Sequence, residues 1–213
     1  MKALTILFLT TLTASTPTLL PRQGDIPPPG SDPPWAPQYS GTGCPQGTLD
    51  SRLYGEKSRL TASFGAFNVY SGPAVSVKDR VKNCQVKFRL KAEQGNQYSI
   101  EGIDYRGYAS LDQGISVEGQ VVYYFSNAVN TTTIRTTFQG PMLGDFIQHE
   151  DAKADALTWS SCGETGDLVV NTRLGFRTSS STGYNQLTGD SVNERFEHSY
   201  HLRWRKCGGD VVG

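Results

Sequence analysis

The sequence predicts an all-β fold: a single-domain antiparallel β-sandwich or jelly roll stapled by two disulfides. Apolar and polar residues alternate with a period of two over several stretches, as they do in half-buried strands. Glycine, asparagine, aspartate and serine separate these stretches, which is typical of turns. Four cysteines follow an apolar leader, the combination found in secreted domains held by disulfides.

The clearest predicted strand covers residues 84–92, where Val86, Phe88 and Leu90 alternate with basic residues. The other strong strands are predicted at 117–125, 131–138, 168–176 and 196–204, and weaker ones near 60–70, 98–105 and 144–148. Roughly seven to nine short strands in about 170 residues are typical of two packed sheets. Only residues 150–157 suggest a single helical turn, and the chain shows no internal repeat.

The beginning of the chain has the layout of a secretory signal peptide, which we place at 1–16 with cleavage between residues 14 and 20. Lys2 supplies the positive start, an apolar run follows at 3–12, and small residues begin at Ala14. The apolar run is too short to span a bilayer, and no later segment is apolar enough to do so. The protein is therefore expected in the extracellular space, without membrane insertion.

Composition predicts the remaining boundaries. Residues 17–37 are rich in proline and are expected to be extended and disordered. The β-sandwich domain is placed at 38–207, which is an ordinary length for one domain. Residues 208–213 form a short tail that is expected to fray.

The cysteines predict the covalent framework. Cys44, Cys84, Cys162 and Cys207 allow three pairings. We favour Cys44 with Cys84 and Cys162 with Cys207, because neighbours along the chain usually meet first. A zinc site is disfavoured, because no two cysteines lie within a few residues of each other.

The charge balance argues against a nucleic-acid partner. The chain carries 20 basic and 20 acidic side chains, whereas proteins that bind nucleic acid normally carry a basic excess. The sequence also has no phosphate-binding glycine loop and no nucleophile elbow. No cofactor and no catalytic residue is therefore predicted.

Five segments resemble a known family in their order and spacing. They are 43–47 (GCPQG), 79–84 (DRVKNC), 105–112 (YRGYASLD), 159–163 (WSSCG) and 202–207 (LRWRKC). All four cysteines lie inside them or at their ends, and together they resemble the secreted, mostly fungal family known as domain of unknown function 4360. The resemblance implies secretion and a fungal source, and it implies no activity, ligand or catalytic residue.

Tyr105, Arg106 and Tyr108 are the predicted binding residues. They flank Gly107 in a segment that we interpret as an exposed turn. A tyrosine ring offers an apolar face and a polar rim, which suits stacking on sugar rings. A structural corner around Gly107 accounts for the same pattern without a ligand.

Two rows of basic residues provide another candidate surface. Lys87, Arg89 and Lys91 alternate on one predicted strand, and His201, Arg203 and Arg205 alternate on another. The rows would merge into a cationic patch if the two strands were neighbours. Protection of sheet edges by charge is the favoured interpretation.

No metal site is predicted. His198 and His201 are three residues apart in a predicted strand, so their side chains point to opposite faces, with His198 in the core. His149 and the acidic residues that follow it are interpreted as solvated charge, because their spacing matches no calcium loop.

A glycoside hydrolase is the alternative that the carboxylates suggest. Such enzymes need two carboxyl groups that face each other across a cleft. Glutamates lie on candidate strands at Glu101, Glu118, Glu194 and Glu197. Surface charge explains all four, so no catalytic pair is assigned.

Asn130 begins the sequence Asn-Thr-Thr, which is a signal for N-glycosylation. It lies between two predicted strands, where a loop could carry the glycan. The alternative is an unmodified polar turn.

These observations favour a binding or interaction module over an enzyme. The expected partner is an extracellular polysaccharide, such as cell-wall glycan, or a host surface protein. A wall-active glycoside hydrolase and a structural cell-wall component are the alternatives. The sequence does not determine the oligomeric state.

Overall fold

Two antiparallel sheets pack face to face, which confirms the predicted sandwich. The computed structural model describes residues 37–55, 57–177 and 183–208. The predicted signal peptide, most of the proline-rich segment and the tail after Gly208 lie outside the described residues. The strands are β1 (Gln38–Ser40), β2 (Leu49–Tyr54), β3 (Arg59–Phe64), β4 (Val69–Ser71), β5 (Val81–Lys91), β6 (Asn96–Leu111), β7 (Ser116–Phe125), β8 (Thr132–Gln139), β9 (Met142–Asp151), β10 (Thr165–Phe176), β11 (Asn185–Thr188) and β12 (Phe196–Lys206).

The five-stranded sheet has the order β1-β5-β10-β7-β8, and the seven-stranded sheet has the order β2-β3-β12-β6-β11-β4 with β9 also paired to β6. Strand β6 is 16 residues long and organises the larger sheet. It pairs with β12 and then β11 along one edge, and with β9 along the other. Within the described residues, the helices are two short 3-10 turns, and neither is long enough to cross a membrane.

The strongest sequence patterns correspond to β5, β7, β8, β10 and β12. The weak pattern near 60–70 divides into β3 and β4, and the other two weak patterns are parts of β6 and β9. The helical turn suggested at 150–157 is mostly wrong, because β9 extends to Asp151 and only Ala154–Ala156 forms a 3-10 turn. Strands β1, β2 and β11 were not predicted, since two of them have only three or four residues.

The core lies between the sheets and is rich in aromatic side chains. Three aromatic pairs cross from one sheet to the other with ring centroids 5.2–6.3 Å apart and steep interplanar angles. The pairs are Phe88 with Tyr200, Tyr98 with Phe125, and Tyr105 with Phe138. Edge-to-face contacts of this kind add about 0.5–1.5 kcal/mol beyond the burial of the rings.

His198 lies inside this aromatic core and is fully buried, as the alternation of β12 predicts. Its ring contacts Tyr105 edge-on, with the centroids 4.8 Å apart. Its Nδ1 lies 3.2 Å from the Tyr200 hydroxyl oxygen. Burial lowers the pKa of His198 to about 3, because the imidazolium would lose its hydration. The side chain is therefore neutral at ordinary pH.

Both predicted disulfides are confirmed. Cys44–Cys84 ties the loop after β1 to β5, and Cys162–Cys207 ties the segment before β10 to the end of β12. The second bridge closes one end of the sandwich, where backbone hydrogen bonds run from Ser160 to Tyr98 and from Cys207 to Gly95.

Trp204 also lies at this end, and it is only partly buried although it shares the inner face of β12. Its indole N–H donates to the Lys57 carbonyl at 2.9 Å, and its ring packs on Tyr98 with the centroids 4.9 Å apart.

Trp204→Ala should lower the free energy of unfolding by about 2 kcal/mol, less than the 3–5 kcal/mol typical of a fully buried tryptophan. Urea denaturation followed by circular dichroism measures this loss. Val192→Ala, at a position 79 % exposed, is the control and should change stability by less than about 0.5 kcal/mol. A loss as small for Trp204→Ala would contradict the packing described here.

Candidate functional site

An open groove crosses the outer face of the five-stranded sheet. Its volume is about 460 Å³, which is within the usual range of ligand pockets. Strands β5, β10 and β7 supply its floor, and the end of β1 forms one wall. The lining residues are Ser40, Gly41, Asn83, Cys84, Gln85, Gln120, Val122, Asn171, Thr172 and Arg173.

Strand register explains why polar side chains meet in this groove. One row across the sheet runs Asn83–Arg173–Gln120, and the next runs Gln85–Asn171–Val122. Residues opposite each other in adjacent strands lie about 4.5–5.5 Å apart. The two rows therefore bring four amides and one guanidinium to a single surface. We call this set the amide groove.

Three of the four amides are free to bind a ligand. In the described part of the chain, the side chains of Gln85, Gln120 and Asn171 make no hydrogen bond to protein. Asn83 differs, because its Oδ1 accepts hydrogen bonds from the Thr42 backbone N–H and hydroxyl. Each free amide offers two N–H donors and a carbonyl acceptor.

Gly41 allows the chain to lie against the edge of the groove. A Cβ at this position would come within 2.2 Å of the Asn83 carbonyl oxygen. The φ angle of Gly41 is also +150°, a conformation that other residues rarely adopt. Any side chain here would push the β1 segment away from β5 and open that wall.

The groove carries positive charge and no carboxylate. Arg173 is the charged residue among its described lining residues, and none of them is aspartate or glutamate. The acid–base pair of a glycosidase is therefore not supplied by this lining. The chemistry available is hydrogen bonding from amides and a guanidinium, beside the apolar surface of Val122.

The two predicted rows of basic residues do not merge, because β5 and β12 belong to different sheets. Lys87 and Arg89 instead share Asp167, whose carboxylate oxygens lie 2.7 and 3.2 Å from their nitrogens. Burial acts to raise the pKa of Asp167, but hydrogen bonds from Lys87 and Arg89 outweigh it and lower the pKa below its ordinary value. The Asp167 carboxylate thus offsets one of the three positive charges of the β5 row.

The structure corrects the predicted binding segment. Tyr105, Arg106 and Tyr108 lie within strand β6 rather than in a turn. Tyr105 is fully buried, so it does not reach the surface. Gly107 sits against the Phe196 ring, where a Cβ would come within 2.6 Å, and this contact explains the glycine.

Arg106 and Tyr108 reach the outer face of the seven-stranded sheet, and both are half-buried. Arg106 Nε lies 2.7 Å from Oδ2 of the buried Asp190. The guanidinium is therefore occupied by a structural ion pair. Tyr108 remains a candidate binding residue, on the sheet opposite the amide groove.

The candidate carboxylates do not form a catalytic pair in the described residues. Glu101 and Glu118 lie in different sheets, and each is paired with an arginine. Glu197 accepts a hydrogen bond from Ser63, and Glu194 lies in the loop before β12.

A cluster that the sequence analysis missed joins β6, β9 and β12 on the outer face of the seven-stranded sheet. Asp104 Oδ1 lies 2.6 Å from His149 Nδ1, and Asp104 Oδ2 lies 2.7 Å from His201 Nε2. Asp151 Oδ1 lies 2.9 Å from His149 Nε2. We call Asp104, His149 and His201 the histidine cluster.

The charges of the cluster reinforce one another. Hydrogen bonding to Asp104, and then to Asp151, raises the pKa of His149 above its ordinary value. Burial acts to raise the pKa of Asp104, but hydrogen bonds from His149 and His201 outweigh it and lower the pKa. Alternation places each residue on an outer face, but strand order and register are needed to bring them together.

Asn130 is exposed in the loop between β7 and β8. This position is accessible to a glycosyltransferase, and N-glycosylation of Asn130 stays a prediction.

The protein is a disulfide-bonded β-sandwich, a class of domain that is expected in an oxidising, extracellular compartment. Residues 36–207 match the family described as domain of unknown function (DUF4360). The chain belongs to this family, which confirms the resemblance of its five motifs.

Comparison with known proteins gives a curated relative and several solved structures that are similar to this chain. The chain is 37% identical over 169 residues to an uncharacterized secreted protein of Arthroderma benhamiae, covering 79% of this chain and 69% of that protein. TmCBM61, solved in complex with β-1,4-galactotriose, is 9% identical with a TM-score of 0.30, covering 81% of this chain and 89% of that one. A structure of carbohydrate-binding modules from the β-sandwich superfamily is 8% identical with a TM-score of 0.29, covering 81% and 58%. TM-scores this low do not indicate a shared binding site.

Proposed function

We propose that this protein is an extracellular binding module that holds a neutral polysaccharide, such as cell-wall glycan, in the amide groove. The observation that carries the proposal is the set of free amides. Gln85, Gln120 and Asn171 project into one groove of about 460 Å³ and make no hydrogen bond to protein within the described residues.

Sugar hydroxyls are donors and acceptors at once, and so are amides. Exposed amides that the fold leaves unpaired can therefore bind several hydroxyls of an extended chain without breaking internal hydrogen bonds. Val122 adds an apolar surface at the floor against which the C–H face of a sugar ring can pack. The open shape of the groove suits a polymer that enters and leaves at its ends.

Binding is favoured over hydrolysis by the lining itself. Glycoside hydrolysis requires two carboxyl groups about 5–9.5 Å apart at the scissile bond. The groove offers amides and Arg173 instead. A polysaccharide held there meets no general acid among the residues that line the groove.

Retention on insoluble chitin, β-glucan and cellulose tests the proposal, with release of reducing sugar measured in the same samples. We expect retention on at least one polymer and no release. The double variant Gln120→Ala/Asn171→Ala should weaken binding by about tenfold or more, since each neutral hydrogen bond contributes about 0.5–1.5 kcal/mol.

The matched control is Gln186→Ala, which removes an amide from the seven-stranded sheet and should leave retention unchanged. Equal loss in the control and the double variant would place the binding surface outside the groove. Release of reducing sugar would favour the hydrolase. Absence of retention on every polymer would contradict the proposal and favour a structural role or a protein partner.

A further inference from the structure

The histidine cluster has the geometry of an incomplete coordination sphere. One carboxylate oxygen of Asp104, one ring nitrogen of His149 and one of His201 all lie within 4.8 Å of one another. The three side chains come from three adjacent strands, β6, β9 and β12. The sheet therefore holds their backbones in place.

A glycine makes room for the cluster. Gly102 pairs with His201 on one side and with Asp151 on the other. A Cβ at Gly102 would come within 3.0 Å of His149 Cε1 and 3.3 Å of an Asp151 carboxylate oxygen. The missing side chain leaves a hollow between His201 and Asp151, and the ring of His149 lies over it.

Asp151 orients the ring of His149 in the way that outer carboxylates orient metal ligands. His149 Nε2 lies 2.9 Å from Asp151 Oδ1, so Nε2–H donates to that carboxylate and Nδ1 is the ring nitrogen that faces Asp104. A ligating histidine typically donates its other N–H to a carboxylate in this manner. Without a metal ion, Nδ1–H of His149 donates to Oδ1 of Asp104 at 2.6 Å. A metal ion bound here would displace that proton and take both atoms as ligands.

We propose that Asp104, His149 and His201 bind a divalent transition-metal ion of the Zn²⁺ type, with Asp151 as a positioning residue. Two imidazole nitrogens and one carboxylate oxygen are ligands that suit zinc, copper or nickel, whereas calcium and magnesium prefer oxygen alone. Ligand atoms around tetrahedral zinc lie about 3.4 Å apart. The ligand atoms of the cluster lie within 4.8 Å of one another, so binding requires the partly exposed side chains to rotate, which separates the closest pair and brings more distant atoms together.

The site lies on the sheet opposite the amide groove, so it is independent of the proposed glycan binding. Three protein ligands leave at least one coordination position open to water or to a group from a partner, as in many zinc sites that are not purely structural. The exposed position of His149, whose side chain is 48% accessible, lets an ion enter directly from solution.

Isothermal titration calorimetry of the full secreted protein, without a polyhistidine tag, tests this site with ZnCl₂. We expect about one Zn²⁺ per chain with a micromolar dissociation constant, and no binding of Ca²⁺ or Mg²⁺ at the same concentrations. His149→Ala and His201→Ala should each weaken Zn²⁺ binding by more than tenfold. Asp151→Asn should weaken it by about 10–100-fold, as expected for a carboxylate that orients a ligand.

Asp155→Asn is the matched control, because Asp155 lies in the 3-10 turn Ala154–Ala156 and outside the cluster. It should bind Zn²⁺ like the natural protein, and circular dichroism should show that every variant is folded. The proposal is overturned by absence of Zn²⁺ binding up to about 1 mM. It is equally overturned if Ca²⁺ binds as well as Zn²⁺, or if the histidine variants retain full affinity.

Discussion

Replacing both Cys162 and Cys207 with serine should lower the free energy of unfolding by about 4 kcal/mol. The bridge closes a loop of 45 residues, and it restricts the unfolded chain more than it restricts the folded one. A loss of this size is a large part of the roughly 5–15 kcal/mol that stabilises a typical domain.

The position of the bridge supports this expectation. Cys207 follows directly after β12, and Cys162 lies shortly before β10, so the bridge links a strand of one sheet to the segment entering the other. Without it, the backbone hydrogen bonds from Ser160 to Tyr98 and from Cys207 to Gly95 would hold this end alone. We expect local fraying there before the whole domain unfolds.

Urea denaturation of the double-serine variant measures the loss. The control is the natural protein with its disulfides intact, and the Cys44→Ser/Cys84→Ser variant gives an independent comparison, because its loop of 40 residues predicts nearly the same effect. A loss below about 1 kcal/mol for either pair would contradict the view that these bridges stabilise the fold.

Lowering the pH from 7 to 4 should destabilise the protein by about 3 kcal/mol through His198 alone. Burial lowers the pKa of His198 from 6.5 to about 3 in the folded protein. The unfolded chain therefore takes up a proton near pH 6.5, whereas the folded protein stays neutral there. The stability contributed by His198 is complete above pH 6.5 and is lost as the pH falls from 6.5 toward 3.

The other groups with shifted pKa values change the stability with the opposite sign or in a different pH range. The raised pKa of His149 gives stability below pH 6.5 that is lost as the pH rises through the folded value, which is the opposite sign. The lowered pKa values of Asp104 and Asp167 give stability that begins to be lost near pH 5 and is lost mainly below about pH 4. Measurements between about pH 7 and 5 therefore report chiefly on the histidines.

His198→Phe is the decisive variant, because phenylalanine keeps an aromatic ring among Phe64, Tyr105 and Phe196. Urea midpoints at several pH values should fall steeply for the natural protein and much less for the variant. His149→Ala is the control: it should retain the acid loss, or show a somewhat larger one, because His149 acts with the opposite sign. If the Cε1 proton signal of His198 titrates near pH 6.5 in the folded protein, burial does not act as described.

Much of the fold follows from local patterns along the chain. Alternation in residues 84–92 predicts β5, and it places His198 inside and His201 outside on β12. The pairing of cysteines that are neighbours in sequence is also correct. Strands β1 and β11 escape prediction because three or four residues are too few to show a period, and tertiary pairing alone makes them strands.

The candidate sites depend on information that alternation does not contain. The amides Gln85, Gln120 and Asn171 are outward-facing by pattern, but they become one groove only because β5, β10 and β7 are neighbours in register. His149 and His201 meet through strand order in the same way. Tyr105 was misplaced because Gly107 suggests a turn, whereas here glycine accommodates the ring of Phe196.

The two tryptophans of the described residues lie at the same end of the molecule, so their fluorescence can report on that end. Trp204 packs on Tyr98, and Trp159 lies under the guanidinium of Arg205, 3.7 Å from the ring centroid, both beside the Cys162–Cys207 bridge. Once Trp35 is replaced by phenylalanine, tryptophan fluorescence excited apart from tyrosine reports on this end alone. If this end frays first, tryptophan emission should change at a lower urea concentration than circular dichroism does. Comparing the two denaturation curves therefore distinguishes partial opening from complete unfolding.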